Sequence, residues 1–255
     1  MIFVLKLDGK IMIEAVIVCV DYADFLCWTL PFNRHQFDNT VVVTSTKDIK
    51  TQKLCEYWHV KCIRTDVCYE DGGFNKGKMI NEGLDHVSGK EWVVHMDSDI
   101  FLPPHFRRMF NCAELDLDSL YTMDRMMCKD FKQWIQYLAQ PKIQYENEIF
   151  IHPGPFEHGV RLAGRVYGGY MPIGFFQMWH QGAQQLTYPT EHTSAARGDV
   201  QFSLKFPRSK RNLFAECYCI HLETVLPENK EMGANWNGRK TPVFGEEFLN
   251  AQPQS

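Results

Sequence analysis

The sequence predicts an α/β fold: one domain on an open, mostly parallel, mixed sheet with helices on its faces. Three observations carry this. Strand-like and helix-like segments alternate through the first hundred residues, as in repeated βαβ units. The strand segments are short, nearly continuous apolar runs, the pattern of strands covered on both sides. The chain has 255 residues, 45% hydrophobic and 13% aromatic, enough for one large core, and no repeat, low-complexity tract or linker divides it.

The elements follow in order. "IEAVIVCV" (13–20) reads as the first strand. A helix comes next, with Leu26, Leu30 and Phe37 toward one side; Pro31 is expected to end or kink it. "VVVTST" (41–46) is a second strand, and "KDIKTQKLCEYW" a helix with Leu54, Tyr57 and Trp58 at helical spacing. "VKCIR" (60–64) is a third strand. "NKGKMINEGLDHVS" (75–88) is a helix whose Ile80, Leu84 and Val87 share a face. "EWVVHM" (91–96) is a fourth strand. Beyond it, 106–138 reads as mainly helical and 140–178, rich in Gly, Pro and aromatics, as long loops. "GDVQFSLKF" (198–206) reads as a helix starting at Asp199, "LFAECYCIH" (213–221) as a strand, and "EMGANWNGRKTPVF" as a surface or mobile tail.

Composition excludes several classes. Net charge is −4, so a globally basic nucleic-acid binder is not indicated. "PRSKR" (207–211) and "HFRRMF" (105–110) still supply local positive charge of the kind that attracts a polyanion such as DNA. The nine cysteines form no CxxC pair, which suits reduced thiols and a cytoplasmic location. The apolar start "MIFVLKLDGKIMIEAVIVCV" is broken by Lys6, Asp8, Lys10 and Glu14, so no transmembrane segment is expected there. P-loop, GxGxxG and HExxH patterns are missing.

What remains is "VVHMDSDIFLPP" (93–104), where Asp97 and Asp99 leave the end of an apolar strand. Asp, Ser and the following prolines also suit a plain turn. In open α/β sheets, however, ligands bind beyond the carboxyl ends of the strands. Asp21-Tyr22, Thr44 to Asp48 and Asp97 to Asp99 all fall at such ends. Two carboxylates there suit Mg²⁺ or Mn²⁺, with the coordination shell completed by water and substrate phosphate.

At this point the chain resembles GT-A-type glycosyltransferases. "VDYADFL" followed by "NKGKMINEGLDHVSGKEWVVHMDSD" is similar to the nucleotide-sugar half of the family that includes chitin and hyaluronan synthases; Asn75, Gly77, Asn81, Gly83, Leu84, Gly89, Asp97, Ser98 and Asp99 carry the likeness. "RGDVQFSLKF" and "CIHLE" are similar to a helix start and a strand end in polypeptide N-acetylgalactosaminyltransferases, although Gly198 stands where an acidic residue is common. The resemblance implies a GT-A-like sheet with a nucleotide-sugar half (13–102), an acceptor-side half (103–225) and a closing segment (226–255). It implies a hexosyltransferase-like enzyme that moves a sugar from a nucleoside diphosphate, UDP first, to an acceptor hydroxyl on a glycan or on hydroxymethylated DNA. Metal ligands would be Asp97, Asp99 and His221, with Mn²⁺ or Mg²⁺, and Asp199 would be the catalytic base. Donor contacts would come from Asp21, Tyr22, Asp48 or Asp66, Lys76 or Lys78, Asn81 and Ser98, with Trp236, Arg239 and Lys240 in the closing segment. The acceptor side would use Gly169, Tyr170, Phe175, Phe176 and Trp179, whose other reading is core packing.

Two alternatives stay open. A nucleotidyltransferase shares the fold class but releases pyrophosphate; its usual Gly-rich basic loop is missing from "VDYADFL". A non-catalytic nucleotide- or glycan-binding protein on the same scaffold would bind donor without turnover. His152, Glu157 and His158 in "HPGPFEH" read as a loop, not a second metal site, since no regular spacing orients them.

Overall fold

A computed structural model describes residues 11–70, 72–139, 143–145, 148–150, 157–159, 170–192, 195, 197–224, 239 and 241–245. Strands β1 (Ile13–Val18), β2 (Asn39–Thr44), β3 (Lys61–Arg64) and β4 (Trp92–Asp97) pair in parallel, in the order β3-β2-β1-β4. Period-two alternation divides the core. Ile13, Ala15, Ile17 and Cys19 join Leu26 and Leu30 of helix α1 (Ala23–Asn33) and Cys55 of α2 (Ile49–Tyr57). Val16 and Val18 join Met79, Ile80 and Leu84 of α3 (Lys76–Leu84) on the other face.

Two details refine the expectations here. Pro31 lies inside α1, which runs on to Asn33 and tightens into a 3₁₀ turn over Arg34–Gln36. Tertiary bonds from Thr29 and Asn33 hold this end of the helix in place despite the lost N–H. Tyr57 is 72% exposed; α2 buries Thr51, Gln52 and Cys55 instead.

The glycines of α3 are explained by close approach. A Cβ on Gly83 would stand 2.3 Å from Val16 Cγ1, and one on Gly77 would stand 2.0 Å from the Pro189 carbonyl oxygen.

The second half departs further from expectation. After β5 (Ile100–Phe101), only α4 (Phe106–Cys112) and α5 (Phe131–Leu138) are helical within 106–138. Between them lies β6 (Leu120–Cys128), a strand buried at eight of nine positions. Its Leu, Met and Arg residues favour helix locally, and its neighbours in the sheet override that preference. Residues 140–178, read as loops, contain β7 (Ile143–Tyr145), β8 (Glu148–Phe150), β9 (Glu157–Gly159) and the start of β10 (Phe176–His180). Helix α6 (Gln181–Gln184) follows β10, and α7 (Gly198–Ser203) precedes β11 (Arg211–Leu222). The sheet continues β4-β10-β6-β11-β5, with β10 antiparallel to both its neighbours and β11 parallel to β6. The result is an open, mixed sheet flanked by helices, in one domain. Among the described residues no helix is long and apolar enough to cross a membrane.

Candidate active site

β4 delivers Asp97, and the chain turns through Ser98 and Asp99 into β5. Three elements hold that turn. From α1, Thr29 Oγ1 donates to the Ser98 carbonyl (2.7 Å), and Asn33 bonds both the Ile100 carbonyl (2.6 Å) and the Leu102 N–H (2.9 Å). From β11, the Leu222 N–H donates to the Asp99 carbonyl at 2.9 Å. From the segment before β10, the Phe175 carbonyl accepts the Asp97 N–H at 3.1 Å. The turn is thus a fixed platform.

The two carboxylates have different neighbours. Asp97 is ion-paired with Lys76, the first residue of α3, behind its N-cap Asn75. Burial raises the Asp97 pKa. Burial alone would lower that of Lys76, but Asp97, with Asp199 and Asp99 beyond it, outweighs burial and keeps the ammonium charged. His95, beneath them, is fully buried; burial and Lys76 push its pKa far down, so it is neutral.

Asp99 instead faces β11. Its Oδ2 lies 3.3 Å from His221 Nε2, and its Oδ1 is buried with no hydrogen-bond partner. Burial opposes ionisation there, but the hydrogen bond from the facing His221 ring and the Lys76 charge help offset it, and Asp99 is held below the usual carboxylate range. Glu223 Oε1 stands 3.6 Å from the same nitrogen. On the other side of the ring, Arg125 of β6 bonds His221 Nδ1. The Arg125 guanidinium lies 4.6 Å over the Phe175 ring, which stacks on His221 with centroids 6.4 Å apart.

Asp199 lies in the first turn of α7, while Arg197, at φ +74°, takes the N-cap position expected of it. Its carboxylate accepts from the Gly174 N–H (2.7 Å) and the Val200 N–H (2.8 Å). Lys76 senses Asp97, Asp199 and Asp99. The Tyr22 hydroxyl is pushed up by burial and then by Asp99.

Several predicted donor residues are committed elsewhere. Asp48 is buried and caps α2, accepting from Thr51 N, Thr51 Oγ1, Thr44 Oγ1 and Asp21 N. Asp66 ties down the turn after β2 through Ser45 and Thr46, which lower its pKa. The Asn81 amide pins Tyr188 at both N–H and carbonyl. Lys78 pairs with Glu70 at 3.0 Å. Ser98 is buried beside the Cys19 thiol. Arg239 was expected at a diphosphate, yet its five bonds go to Asp24 (two), Asp21 O, Thr241 O and Pro242 O. It docks the C-terminal segment onto α1 and lies 5.0 Å over Tyr22. Asp21 itself is exposed, at φ +60°.

On the acceptor side, Phe176 and Trp179 are fully buried core side chains, which overturns them as a platform. Phe175 is buried against Arg125 and His221, and Tyr170 is half-buried. Gly169, Trp236, Lys240 and His152 lie outside the described residues; of Glu157 and His158 only the strand β9, antiparallel to β6, is described. Sequence reasoning missed Arg125, Glu223 and the brace from Thr29 and Asn33. Glu223 had a signal, since it follows His221 at the two-residue spacing of one strand face.

No family model and no curated protein matches the sequence. Solved structures do. Glucosyl-3-phosphoglycerate synthase from Mycobacterium tuberculosis, in complex with Mn²⁺, uridine diphosphate and phosphoglyceric acid, aligns at TM-score 0.50 and 11% identity over 94% of this chain and 74% of that one. The fold is of the GT-A type. The same synthase with Mn²⁺, UDP-glucose and phosphoglyceric acid aligns at TM-score 0.48 and 11% identity over 82% and 71% of the two chains. At such identity the likeness speaks for the GT-A fold alone. It supports the GT-A resemblance and lends nothing to the closer likenesses to chitin synthases or polypeptide N-acetylgalactosaminyltransferases.

Proposed function

We propose that this protein is a metal-dependent, hexosyltransferase-like glycosyltransferase that moves a sugar from a nucleoside diphosphate, UDP first, to an acceptor hydroxyl. One observation carries the reading: a buried Asp99 oxygen with no partner, at a strand-end turn, opposite His221 from a distant strand. A buried carboxylate oxygen left unpaired is costly. His221 Nε2, 3.3 Å from Asp99 Oδ2, supports that oxygen and leaves the unpaired Oδ1 as the atom that would meet an ion. Among the described residues no three His, Cys, Asp or Glu side chains form a metal cluster, so water and donor phosphate would complete the shell. The synthase structure that aligns at TM-score 0.50 holds Mn²⁺ with uridine diphosphate, which makes Mn²⁺ the first ion to test and Mg²⁺ the second.

Asp99 would hold the ion, with Glu223 and His221 beside it. A divalent cation there supplies neutralisation of the departing diphosphate. Asp97, steadied by Lys76, orients the donor. Tyr22 borders the nucleotide. Asp199, held by two backbone N–H groups, takes the acceptor proton if the reaction inverts configuration, and positions the acceptor if it retains it. A DNA acceptor has lost its motivation, because the basic clusters are partly neutralised: Arg107 pairs with Asp38 at 2.7 Å, and Lys210 pairs with Asp116.

The test is donor hydrolysis with a panel of nucleotide sugars, with Mn²⁺ or with chelator, scored as free nucleoside diphosphate. Release from one donor that stops with chelator is expected. Asp99→Asn should cost about a hundredfold or more in turnover with the fold intact. Pyrophosphate release would favour a nucleotidyltransferase, and tight binding without turnover a non-catalytic scaffold. Full turnover in Asp99→Asn rejects the site.

A further inference from the structure

Arg125 fixes which nitrogen of His221 carries the proton. A guanidinium stays charged and offers only N–H donors. Arg125 Nη1 bonds His221 Nδ1, so that nitrogen presents its lone pair. A ring that accepts at Nδ1 carries its N–H on Nε2. That nitrogen faces two acceptors, Asp99 Oδ2 at 3.3 Å and Glu223 Oε1 at 3.6 Å. The ring accepts from Arg125 and donates to Asp99. A histidine that ligates a metal has the opposite arrangement: it binds through a lone pair and donates its other N–H to an acceptor. The contact is also well supported. Arg125 is buried, and Phe175 packs on both the guanidinium and the imidazole.

We propose that Arg125 is a positioning residue that holds His221 away from the cation. With Arg125 in place, His221 is a hydrogen-bond donor to Asp99 and no ligand. It joins the ion only after the guanidinium leaves Nδ1 and the ring proton moves from Nε2 to Nδ1, the ring charge staying unchanged. The guanidinium also opposes the incoming cation as a like charge on the far side of one ring. Arg125 therefore weakens metal loading in the absence of donor. This inference rests on the metal reading of Asp99 given above.

Two measurements test it. In metal-free protein labelled with ¹⁵N-histidine, two-bond ¹H–¹⁵N correlations should assign His221 the Nε2–H tautomer, and Arg125→Met should abolish that fixed assignment. Mn²⁺ titration followed by electron paramagnetic resonance, without nucleotide, should show Arg125→Met binding about tenfold tighter or more, from removal of one nearby positive charge. An Nδ1–H tautomer in the metal-free wild type overturns the proposal, and needs no variant to fold. Mn²⁺ binding that depends on Asp99 but is unchanged in Arg125→Met also overturns it, and leaves the metal reading standing. No Mn²⁺ binding, or binding indifferent to Asp99→Asn, brings down both.

Discussion

The half of the molecule that ends in Asp97 and Asp99 differs in construction from the half that supplies their counterparts. β1 to β4 are parallel strands of one sheet joined by short helical crossovers, and β1, β2 and β4 signal themselves by apolar runs. β6, β10 and β11 interleave: β10 enters between β4 and β6, and β11 pairs with β6 across a register shift between Leu213 and Tyr218. The first half is organised by local pattern, and the second by which distant segments meet. The site sits on the seam, so its carboxylates are set by the first half and their partners His221, Arg125 and Asp199 by the second.

The largest expected effect comes from breaking the seam. Asn33 belongs to α1, yet its amide satisfies the Ile100 carbonyl and the Leu102 N–H, both beyond the turn. Asn33→Ala leaves two buried backbone groups unpaired and should cost about 3 kcal/mol. It should also weaken donor binding, because the Ser98–Asp99 turn loses a support. Chemical denaturation and donor titration check both effects. Lost stability with unchanged donor binding would mean that β11, through Leu222, sets the turn without help from α1.

A somewhat smaller effect is expected inside the first half. Gly83→Ala drives a methyl group to 2.3 Å from Val16 Cγ1 and 3.0 Å from Val43 Cγ2, at the seam between α3 and the sheet. Overpacking of this kind costs about 2 kcal/mol. Because Gly83 is remote in role from the second half, the Mn²⁺ affinity of the folded variant should stay at the wild-type value. A fall in stability of that size with unaltered metal binding would show that the two halves can be disturbed separately.

The same contrast explains what could be read in advance. The parallel strands, the helix capped by Asn75 and the turn at Asp97–Asp99 were legible, because a change of period and a strand-end pair of acids are local signals. β6 was not, since "LYTMDRMMC" carries helix-favouring residues and becomes a strand only between β10 and β11. Asp48, Asp66 and Asn81 have structural partners that the sequence did not signal, for another reason. A side chain that caps a helix or pins a loop uses the same atoms as one that binds a nucleotide, and only the identity of its partners separates the two. His221 was singled out only through the likeness of "CIHLE" to a strand end in known glycosyltransferases. Arg125, which decides what that histidine can do, lay inside the segment misread as helix.

The smallest predicted change in stability bears on how the two halves close on each other. Arg239 reads in sequence as a clamp for diphosphate, but in the fold it is bidentate to Asp24 and fastens the C-terminal segment, with Phe244 packed on Phe25. Both charged side chains are 14% exposed, so Arg239→Ala should cost only about 1 kcal/mol, between the values for surface and buried pairs. The two roles separate cleanly in solution. If Arg239 is a fastener, the variant loses amide-exchange protection at Phe244, whose N–H is held by the Asp24 carboxylate, and its affinity for UDP moves little. If Arg239 is a clamp, UDP binding falls by tenfold or more, about 1.4 kcal/mol for a charge-assisted contact, and Phe244 stays protected. The geometry favours the first outcome, because a guanidinium with every N–H already placed has none left for a phosphate.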